Sequence, residues 1–306
     1  MTGSLYDAVR GVLDKQLSGP LVPGLYLVST PIGNLADITL RALAVLAKAD
    51  HVCCEDTRQT QKLTSHYGIP ARLTAYHDHN AAKARPKILR WLADGAAVAL
   101  VSDAGTPLIS DPGYSSIASR RQGSQIFSIP GASALLAGLA SSGLPTDNFF
   151  FAGFPPPREM AARKRLADLA GIPGTLVLFE SASRMDKTLG ILSELFAGRE
   201  LAVARELTKK FEEIIRVRLP AEALAAREWR GEFVLMISPP GETGHSEETL
   251  RTAMEQALAG ASLRDAVEEV RRTLRVPRKQ AYDLALEIQR TMTVADDGQG
   301  KKAKSL

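Results

Sequence analysis

The chain has 306 residues, of which 45% are hydrophobic and 24% are charged, a composition typical of a folded globular protein. This length predicts two domains with additional segments rather than one large core. A formal net charge of +4 is compatible with a polyanionic partner but does not identify one. The two cysteines are adjacent, the first residues form no secretory leader, and the longest apolar runs have the length of a strand. We therefore expect a cytoplasmic protein in a reducing compartment, with no membrane-spanning segment.

Residues 1–23 form a polar N-terminal extension whose apolar positions favour a short amphipathic helix. After it, strand and helix patterns alternate, and the continuous apolar runs at residues 97–101 and 125–129 are typical of buried parallel strands. The polar segment 141–147, which contains glycine and proline, interrupts this alternation. These patterns predict an N-terminal α/β domain over residues 24–143.

A second series of strand patterns predicts a C-terminal α/β domain over residues 144–240. Helices between its strands are predicted over residues 158–169, 184–196 and 220–228. Residues 246–291 contain three short helical patterns, and two helices joined by a tight turn resemble a helix-turn-helix module. Residues 292–306 are polar, and we expect them to be disordered.

The motifs of common nucleotide-binding enzymes and hydrolases are absent: the chain has no G-x-G-x-x-G after a strand, no P-loop, no H-E-x-x-H and no G-x-S-x-G. Residues 102–113 instead read Ser-Asp-Ala-Gly-Thr-Pro-Leu-Ile-Ser-Asp-Pro-Gly, directly after a buried strand. Small residues let backbone amides approach a ligand, and ligands of open α/β sheets bind at the carboxyl ends of strands. A tight turn that needs special dihedral angles is the structural alternative.

Three further loops end strands of the same predicted sheet, at residues 29–34, 55–58 and 130–134. Because the carboxyl ends of parallel strands lie at one edge of a sheet, we expect all four loops to converge on one crevice. The charged residues of the second loop, Glu55, Asp56 and Arg58, fit a solvated ion-pair cluster equally well when they are considered alone.

Other polar clusters carry less information. His77, Asp78 and His79 have a spacing that fits no helix face and no cysteine or third histidine nearby, so we interpret them as a surface loop and predict no metal site. The chain also contains two basic runs, which are Arg158, Arg163, Lys164 and Arg165, and then Arg271, Arg272, Arg275, Arg278 and Lys279. Runs of this kind usually form solvated surfaces, although they can also contact RNA phosphates.

Taken together, these strings resemble the ribosomal RNA small-subunit methyltransferase I family. The matching sequence segments are residues 28–39, 55–58, 102–113, 142–147, 204–209 and 230–235. The strings Thr-Pro-Ile-Gly-Asn and Ser-Asp-Ala-Gly-Thr-Pro are specific within the wider superfamily, and the likeness covers about residues 24 to 290. The chain departs from the family pattern at Ala132, where a proline is expected, and at residues 181–184, where a histidine is missing but Arg184 is retained.

The resemblance implies an α/β tetrapyrrole-methylase (class III methyltransferase) fold of two domains, with S-adenosylmethionine folded in the cleft between them and a small C-terminal helical module. The implied activity is 2′-O-ribose methylation of a cytidine in the decoding centre of 16S rRNA, within the small ribosomal subunit, by a homodimer. The implied cofactor-binding residues are Pro31, Asp103, Ala104, Gly105, Ile109, Ala132, Ser133, Leu207 and Ser238.

Methyl transfer from a sulfonium requires collinear donor and acceptor atoms, so positioning should dominate catalysis. The 2′-hydroxyl is a weak acid and needs a base or a stabiliser of the developing oxyanion. The catalytic candidates are Glu55, Asp56, Arg58 and Glu206, and the sequence does not choose among them. The RNA-binding candidates are Arg158, Arg163, Lys164, Arg165, Arg184, Arg275, Arg278 and Lys279.

Two alternatives remain open at this point. The first is a small-molecule C-methyltransferase of the same fold that acts on a tetrapyrrole ring; the basic runs and the helical tail argue against it, because a ring substrate needs neither. The second is a non-catalytic rRNA-binding protein that uses the tail module. That alternative leaves the glycine- and aspartate-containing loops without a purpose.

Overall fold

The computed structural model describes residues 4–77, 80–109, 125–225, 227–240 and 247–289, the last range with gaps at residues 275, 277, 279 and 280. The chain divides into two compact units, Met1–Ser238 and Pro239–Leu306. Both predicted α/β domains fall within the first unit. Their division at residues 143 and 144 therefore stays a prediction.

The first sheet of this unit has five strands, all parallel, in the order β3-β2-β4-β1-β5. The strands are β1 (Gly24–Val28), β2 (His51–Cys54), β3 (Leu73–Ala75), β4 (Ala97–Val101) and β5 (Ile126–Ile129). The helices before and between them are α1 (Leu5–Leu17), α2 (Leu40–Lys48), α3 (Thr57–His66) and α4 (Ala81–Ala93).

Burial of both faces explains why β1, β2 and β4 read as continuous apolar runs. The prediction of a buried strand at residues 125–129 is wrong for most of β5, which lies at the edge of the sheet and exposes Ile126 and Ser128. All five residues of β4 are buried. Successive side chains of β1 point to opposite faces: Tyr26 and Val28 belong to one core cluster, whereas Leu25 packs in another with Ile88 of α4. Thr39 caps α2 by accepting a hydrogen bond from the Ala42 amide.

The second sheet has the order β6-β7-β10-β8-β9 and is mixed. Its strands are β6 (Phe149–Gly153), β7 (Thr175–Ser181), β8 (Glu200–Arg205), β9 (Glu213–Arg218) and β10 (Glu232–Ile237). Strands β6 and β7 are parallel, whereas β10 is antiparallel to both β7 and β8, and β8 is antiparallel to β9. The antiparallel central strand therefore presents its amino end where β7 and β8 present their carboxyl ends.

Helices cover both faces of this second sheet. One face packs against α6 (Glu159–Leu169) and α7 (Met185–Leu195), and its core includes Leu166, Leu192 and the fully buried Phe196. The other face packs against α5 (Ala134–Ser142), where Leu139 joins Val234 and Met236. Helix α5 precedes the predicted domain junction in the chain, yet it completes the core of the second sheet.

The predicted helix over residues 220–228 is wrong. Among the described residues of this segment, which exclude residue 226, the helical structure is a short 3-10 turn at Glu222–Leu224. Leu219, Ala221 and Leu224 are all buried in the core of the second sheet. Their spacing of two and three residues does not place them on one face of an α-helix, and it suits a tight turn.

The second unit contains α8 (Glu247–Gly260), α9 (Leu263–Leu274) and a third helical stretch at residues 281–289. Leu250, Met254, Val267 and Ile288 are among the side chains that form its own core. Ser262 caps α9, because its hydroxyl accepts a hydrogen bond from the Asp265 amide and donates one to the Asp265 carboxylate. The predicted disordered tail at residues 292–306 lies outside the described residues.

A helix long and apolar enough to cross a bilayer does not occur in the part of the chain that the structure describes. Cys53 and Cys54 are both buried free thiols at the end of β2. Burial raises the pKa of Cys53 to about 12, and the neighbouring Cys54 thiol adds to this shift.

We expect iodoacetamide to leave both cysteines of the native protein unmodified at pH 8. The Cys53 thiol, with a pKa near 12, is ionised to only about one part in ten thousand at that pH, and the thiolate is the reacting species. Burial also raises the pKa of the Cys54 thiol. Intact-mass spectrometry should show two adducts after unfolding in guanidinium chloride and none before. An adduct on the native chain within the same reaction time would contradict the described burial.

Candidate functional site

Hydrogen bonds join the loops at the carboxyl ends of β1 and β4. Two backbone hydrogen bonds pair Thr30 with Gly105, one in each direction, at 2.9 and 3.0 Å. The hydroxyl oxygens of Ser29 and Thr106 lie 3.0 Å apart. Gly105 has φ 77°, a left-handed conformation that glycine adopts without strain. The loops at residues 29–34 and 102–113 are therefore joined to each other.

The other two loops are attached to the same structure. The Thr106 hydroxyl donates to the Ala132 carbonyl at 3.4 Å, which joins the loop after β5. The Asp56 amide donates to Asp103 Oδ1 at 2.9 Å, which joins the loop after β2. All four loops thus converge, as the parallel order of the strands predicts. Residues from Ser110 onward in the 102–113 string lie outside the described residues.

A loop of the second sheet locks onto this edge. Glu206 and Thr208, just after β8, have φ 47° and 67°, and this left-handed backbone turns the loop sharply. The Asn34 amide donates to the Thr208 hydroxyl at 3.1 Å. A Cβ on Gly33 would collide with the Lys209 side chain. The close approach of the two loops therefore depends on glycine at this position.

A pocket of about 420 Å³ lies between these loops, within the size range of small-molecule sites. Five of the nine predicted cofactor-binding residues line it: Ala104, Gly105, Ile109, Ser133 and Leu207. The described wall also contains Ile32, Thr106, Ala134, Phe154, Phe179, Glu180, Ser181, Ala204, Glu206, Lys209, Gly231, Glu232, Phe233 and Val234.

Three other predicted cofactor residues lie next to the wall. Pro31 precedes Ile32, Ala132 precedes Ser133, and Asp103 precedes Ala104, with the Asp103 carboxylate engaged by the Asp56 amide. Contact of these three residues with the cofactor stays a prediction.

The structure does not bring Ser238 to this pocket. The pocket is lined by the start of β10, at Phe233 and Val234, whereas Ser238 follows the other end of that strand and accepts a hydrogen bond from the Glu200 amide. At about 3.3 Å per residue, the distance along the strand from Phe233 is roughly 16 Å. The prediction for Ser238 assumed that the carboxyl end of β10 lies at the cleft. Because β10 runs antiparallel to its neighbours, its amino end lies there instead.

Glu206, Lys209 and Glu232 form a charged cluster in the wall. Lys209 Nζ lies 2.9 Å from Glu206 Oε1 and 2.7 Å from Glu232 Oε2, and the Glu232 amide also donates to Glu206 Oε1. Partial burial acts to raise the pKa of Glu206, but these hydrogen bonds outweigh it and the pKa is lowered. A carboxylate held ionised in this way is a weak general base. The geometry favours a positioning role for Glu206.

The other catalytic candidates are absent from the described pocket wall. Asp56 caps α3, accepting from the Arg58 amide and pairing with the Arg58 guanidinium at 2.7 Å. The hydrogen bonds from Arg58 hold the pKa of Asp56 at about 2. Glu55 is exposed directly after β2. The roles of these three residues stay predictions.

Glu180 is a wall residue to which the sequence reasoning assigned no role. It is a buried carboxylate near the end of β7 that pairs with Arg184 at 2.7 Å and accepts from the Thr188 hydroxyl at 2.6 Å. The sequence could have indicated this residue, because it is an acidic residue at the end of an otherwise apolar strand. A charge that is buried in this way needs a partner. Arg184, a predicted RNA contact, is thus held by Glu180 and also donates to the Pro155 carbonyl at 3.0 Å.

The remaining predicted RNA contacts differ in their surroundings. Arg158, Lys164 and Arg165 are exposed at the start of α6 and within it, whereas Arg163 is paired with Glu194. Arg278 is exposed in the second unit. Arg275 and Lys279 lie outside the described residues.

Residues 24–222 match the family Tetrapyrrole (Corrin/Porphyrin) Methylases. The protein named Ribosomal RNA small subunit methyltransferase I in Mesorhizobium japonicum is 44% identical over 284 residues, which cover 91% of this chain and 97% of that protein. This chain belongs to the ribosomal RNA small subunit methyltransferase I family. The Bacillus subtilis member is 38% identical over 270 residues, covering 85% of this chain and 92% of its own. Family membership makes the chain a methyltransferase that uses S-adenosylmethionine.

Solved structures agree on the fold of this ribosomal RNA small subunit methyltransferase I family member. The methyltransferase CobJ superposes with a TM-score of 0.53 at 21% identity, covering 71% of this chain and 94% of its own. A conserved hypothetical protein from Aeropyrum pernix K1 superposes with a TM-score of 0.55 at 19% identity, covering 86% of this chain and 99% of its own. At these identities the likeness establishes the tetrapyrrole-methylase architecture alone.

The described residues of this family member fit S-adenosylmethionine. Ile32, Leu207 and Val234 supply apolar surface for an adenosine, and Gly105 allows close approach of the backbone. The wall carries three carboxylates, Glu180, Glu206 and Glu232, but one ammonium, that of Lys209. Arg184 pairs with Glu180 from outside the described wall, so one negative charge remains in excess, and it complements the cationic methyl donor. A cluster of three or more metal-ligating side chains does not occur among the described residues.

Replacing Gly231 by alanine should weaken S-adenosylmethionine binding about tenfold or more, a loss of at least about 1.4 kcal/mol. Gly231 has φ 97°, and a Cβ there would lie 2.5 Å from Glu206 Cδ, which would displace the carboxylate that holds Lys209. Titration calorimetry measures the change directly.

Gly198→Ala is the matched control for Gly231→Ala. Its φ of 83° imposes similar backbone strain, but no atom lies within 4 Å of the added Cβ. It should lower the unfolding temperature without changing the dissociation constant. Equal loss of binding in both variants would show that strain, and not displacement of Glu206, is responsible.

Proposed function

We propose that this methyltransferase transfers a methyl group to the 2′-oxygen of a cytidine in the decoding centre of 16S rRNA, within the small ribosomal subunit. The observation that carries the proposal is the pocket between the interlocked loops of two sheets, whose wall fits the methyl donor. Its relatives of 38% to 44% identity carry the name Ribosomal RNA small subunit methyltransferase I, which supports rRNA as the substrate.

The bound cofactor supplies an electrophilic methyl group on a sulfonium, and the protein supplies position and charge. Gly105 and Leu207 line the pocket from opposite sheets and fix the donor by contacts from both sides. Lys209 is held between two carboxylates, so the cluster is fixed in place and carries one net negative charge. Such preorganised charge complements the sulfonium of the donor better than a mobile side chain does. In-line placement of the ribose does the rest.

The exposed cations near the start of α6 are the proposed phosphate contacts. Arg158, Lys164 and Arg165 are exposed within a span of eight residues, and none of them takes part in the ion pairs of α6 among the described residues, which involve Arg163 and Glu159 instead. Phosphate contacts of this kind supply salt-dependent affinity without sequence specificity. We further propose that the enzyme acts as a homodimer in the cytoplasm, where the small subunit is assembled.

Transfer of tritium from labelled S-adenosylmethionine tests the activity. The acceptors are small subunits from a strain that lacks this methyltransferase, subunits from the parent strain, and a tetrapyrrole precursor. We expect about one methyl group per deficient subunit, at a cytidine ribose that resists alkaline cleavage, because 2′-O-methylation removes the attacking hydroxyl. Labelling of the tetrapyrrole, or equal labelling of both subunit preparations, would contradict the proposal.

The combined substitution of Arg158, Lys164 and Arg165 by alanine should raise the KM for subunits about tenfold or more and flatten its salt dependence, by roughly one unit of slope per lost phosphate contact. The affinity for S-adenosylmethionine should not change, because none of the three lines the described pocket. The control replaces the exposed Arg10, Lys15 and Lys62 by alanine, which alters the net charge equally. An equal rise in KM in both triple variants would show that the loss of net charge, and not a specific contact of the α6 residues, is responsible.

A further inference from the structure

Phe154 lies on the rim of the pocket and is half-exposed. It lines the same cavity as the cofactor-binding residues, yet 52% of its surface is accessible to solvent. A single exposed phenylalanine is common on protein surfaces and needs no explanation by itself. Three features of the surrounding structure distinguish this one.

The first feature is a bulge that directs the side chain. Strand β6 pairs with β7 in regular parallel register up to Phe151, and the register then shifts so that Gly153 pairs with Leu178. Gly153 has φ 66°, a conformation that strongly favours glycine. Bulges bend a strand and re-aim the side chains that follow, and Phe154 is the next residue.

The second feature is rigidity. Phe154 is followed by Pro155, Pro156 and Pro157, whose rings fix the backbone angle φ. The Pro155 carbonyl accepts a hydrogen bond from Arg184 at 3.0 Å. A ligand that contacts Phe154 therefore orders little additional chain on binding, which preserves affinity.

The third feature is support by an aromatic ring and a fixed cation. Phe179 meets the Phe154 ring edge-on, with centroids 5.5 Å apart. The Arg184 guanidinium lies 6.0 Å from the centroid of the same ring and is held by the buried carboxylate of Glu180. The charged pair thus acts as a positioning device for a half-exposed aromatic face at the mouth of the site.

We propose that Phe154 is a stacking platform for the base of the nucleotide whose ribose is methylated. Single-stranded RNA is recognised by stacking unpaired bases on aromatic rings and on arginine planes. A ribose that reaches the methyl donor must leave its base at the mouth of the pocket, where Phe154 lies. The inference rests on the proposed function, because only a nucleotide substrate presents a base there.

Phe154→Ala should raise the KM for deficient small subunits between about 5-fold and about 150-fold, the range that corresponds to losing one base–aromatic stack. The rise in KM for subunits should exceed any change in the S-adenosylmethionine dissociation constant, because Phe154 touches the edge of the pocket but its main loss is a contact to bound substrate. Phe154→Tyr should keep the wild-type KM, since the aromatic face is retained. Phe154→Leu should behave like the alanine variant, since it keeps apolar bulk without the face.

Phe149→Ala is the matched control, because Phe149 is 44% exposed on the same strand but does not line the described pocket. It should leave KM unchanged, and thermal unfolding monitors the folding of all four variants. An unchanged KM in Phe154→Ala, wild-type behaviour of Phe154→Leu, or a loss of S-adenosylmethionine affinity equal to the rise in KM would each overturn the inference. Failure of the wild-type enzyme to label any subunit would instead overturn the proposed function, and the inference with it.

Discussion

The site depends on the close approach of two loops that belong to different sheets. Gly33 lies against Lys209, and the Asn34 amide donates to the Thr208 hydroxyl. This approach is possible because Gly33 has no Cβ and because Thr208 adopts a left-handed backbone. Neither sheet alone encloses a pocket, so the residues that fix the interface between them also fix the distance across the cofactor site.

Charge in this site is organised in pairs that are satisfied before any ligand binds. Glu180 has Arg184, and Glu206 shares Lys209 with Glu232. Leaving a buried carboxylate without a partner costs far more than an exposed ion pair contributes. Each pair is therefore worth more as a fixed arrangement of charge than as a source of stability, since preorganised groups need not reorient during the reaction.

The first sheet could be anticipated from the sequence because its strands are parallel. Parallel direction places every strand end at one edge, so the loops at Thr30, Gly105 and Ser133 had to meet. The second sheet is mixed, and strand direction is not written in an apolar pattern. Ser238 was for that reason expected at the wrong end of β10, and the wall residues Glu180 and Gly231 were left without a role, although Gly231 lies in a segment that resembles the family.

The same architecture occurs in relatives that act on other molecules, so the sheets alone cannot determine the substrate. The strand-end loops that fit the methyl donor belong to the shared core. The segment after β6 differs in kind: a bulge, an exposed aromatic ring and three prolines lead directly to the cations of α6. Aromatic surface followed by exposed positive charge suits a base with its adjoining phosphates. In this enzyme the choice of acceptor is therefore best located at the rim, outside the pocket that holds the donor.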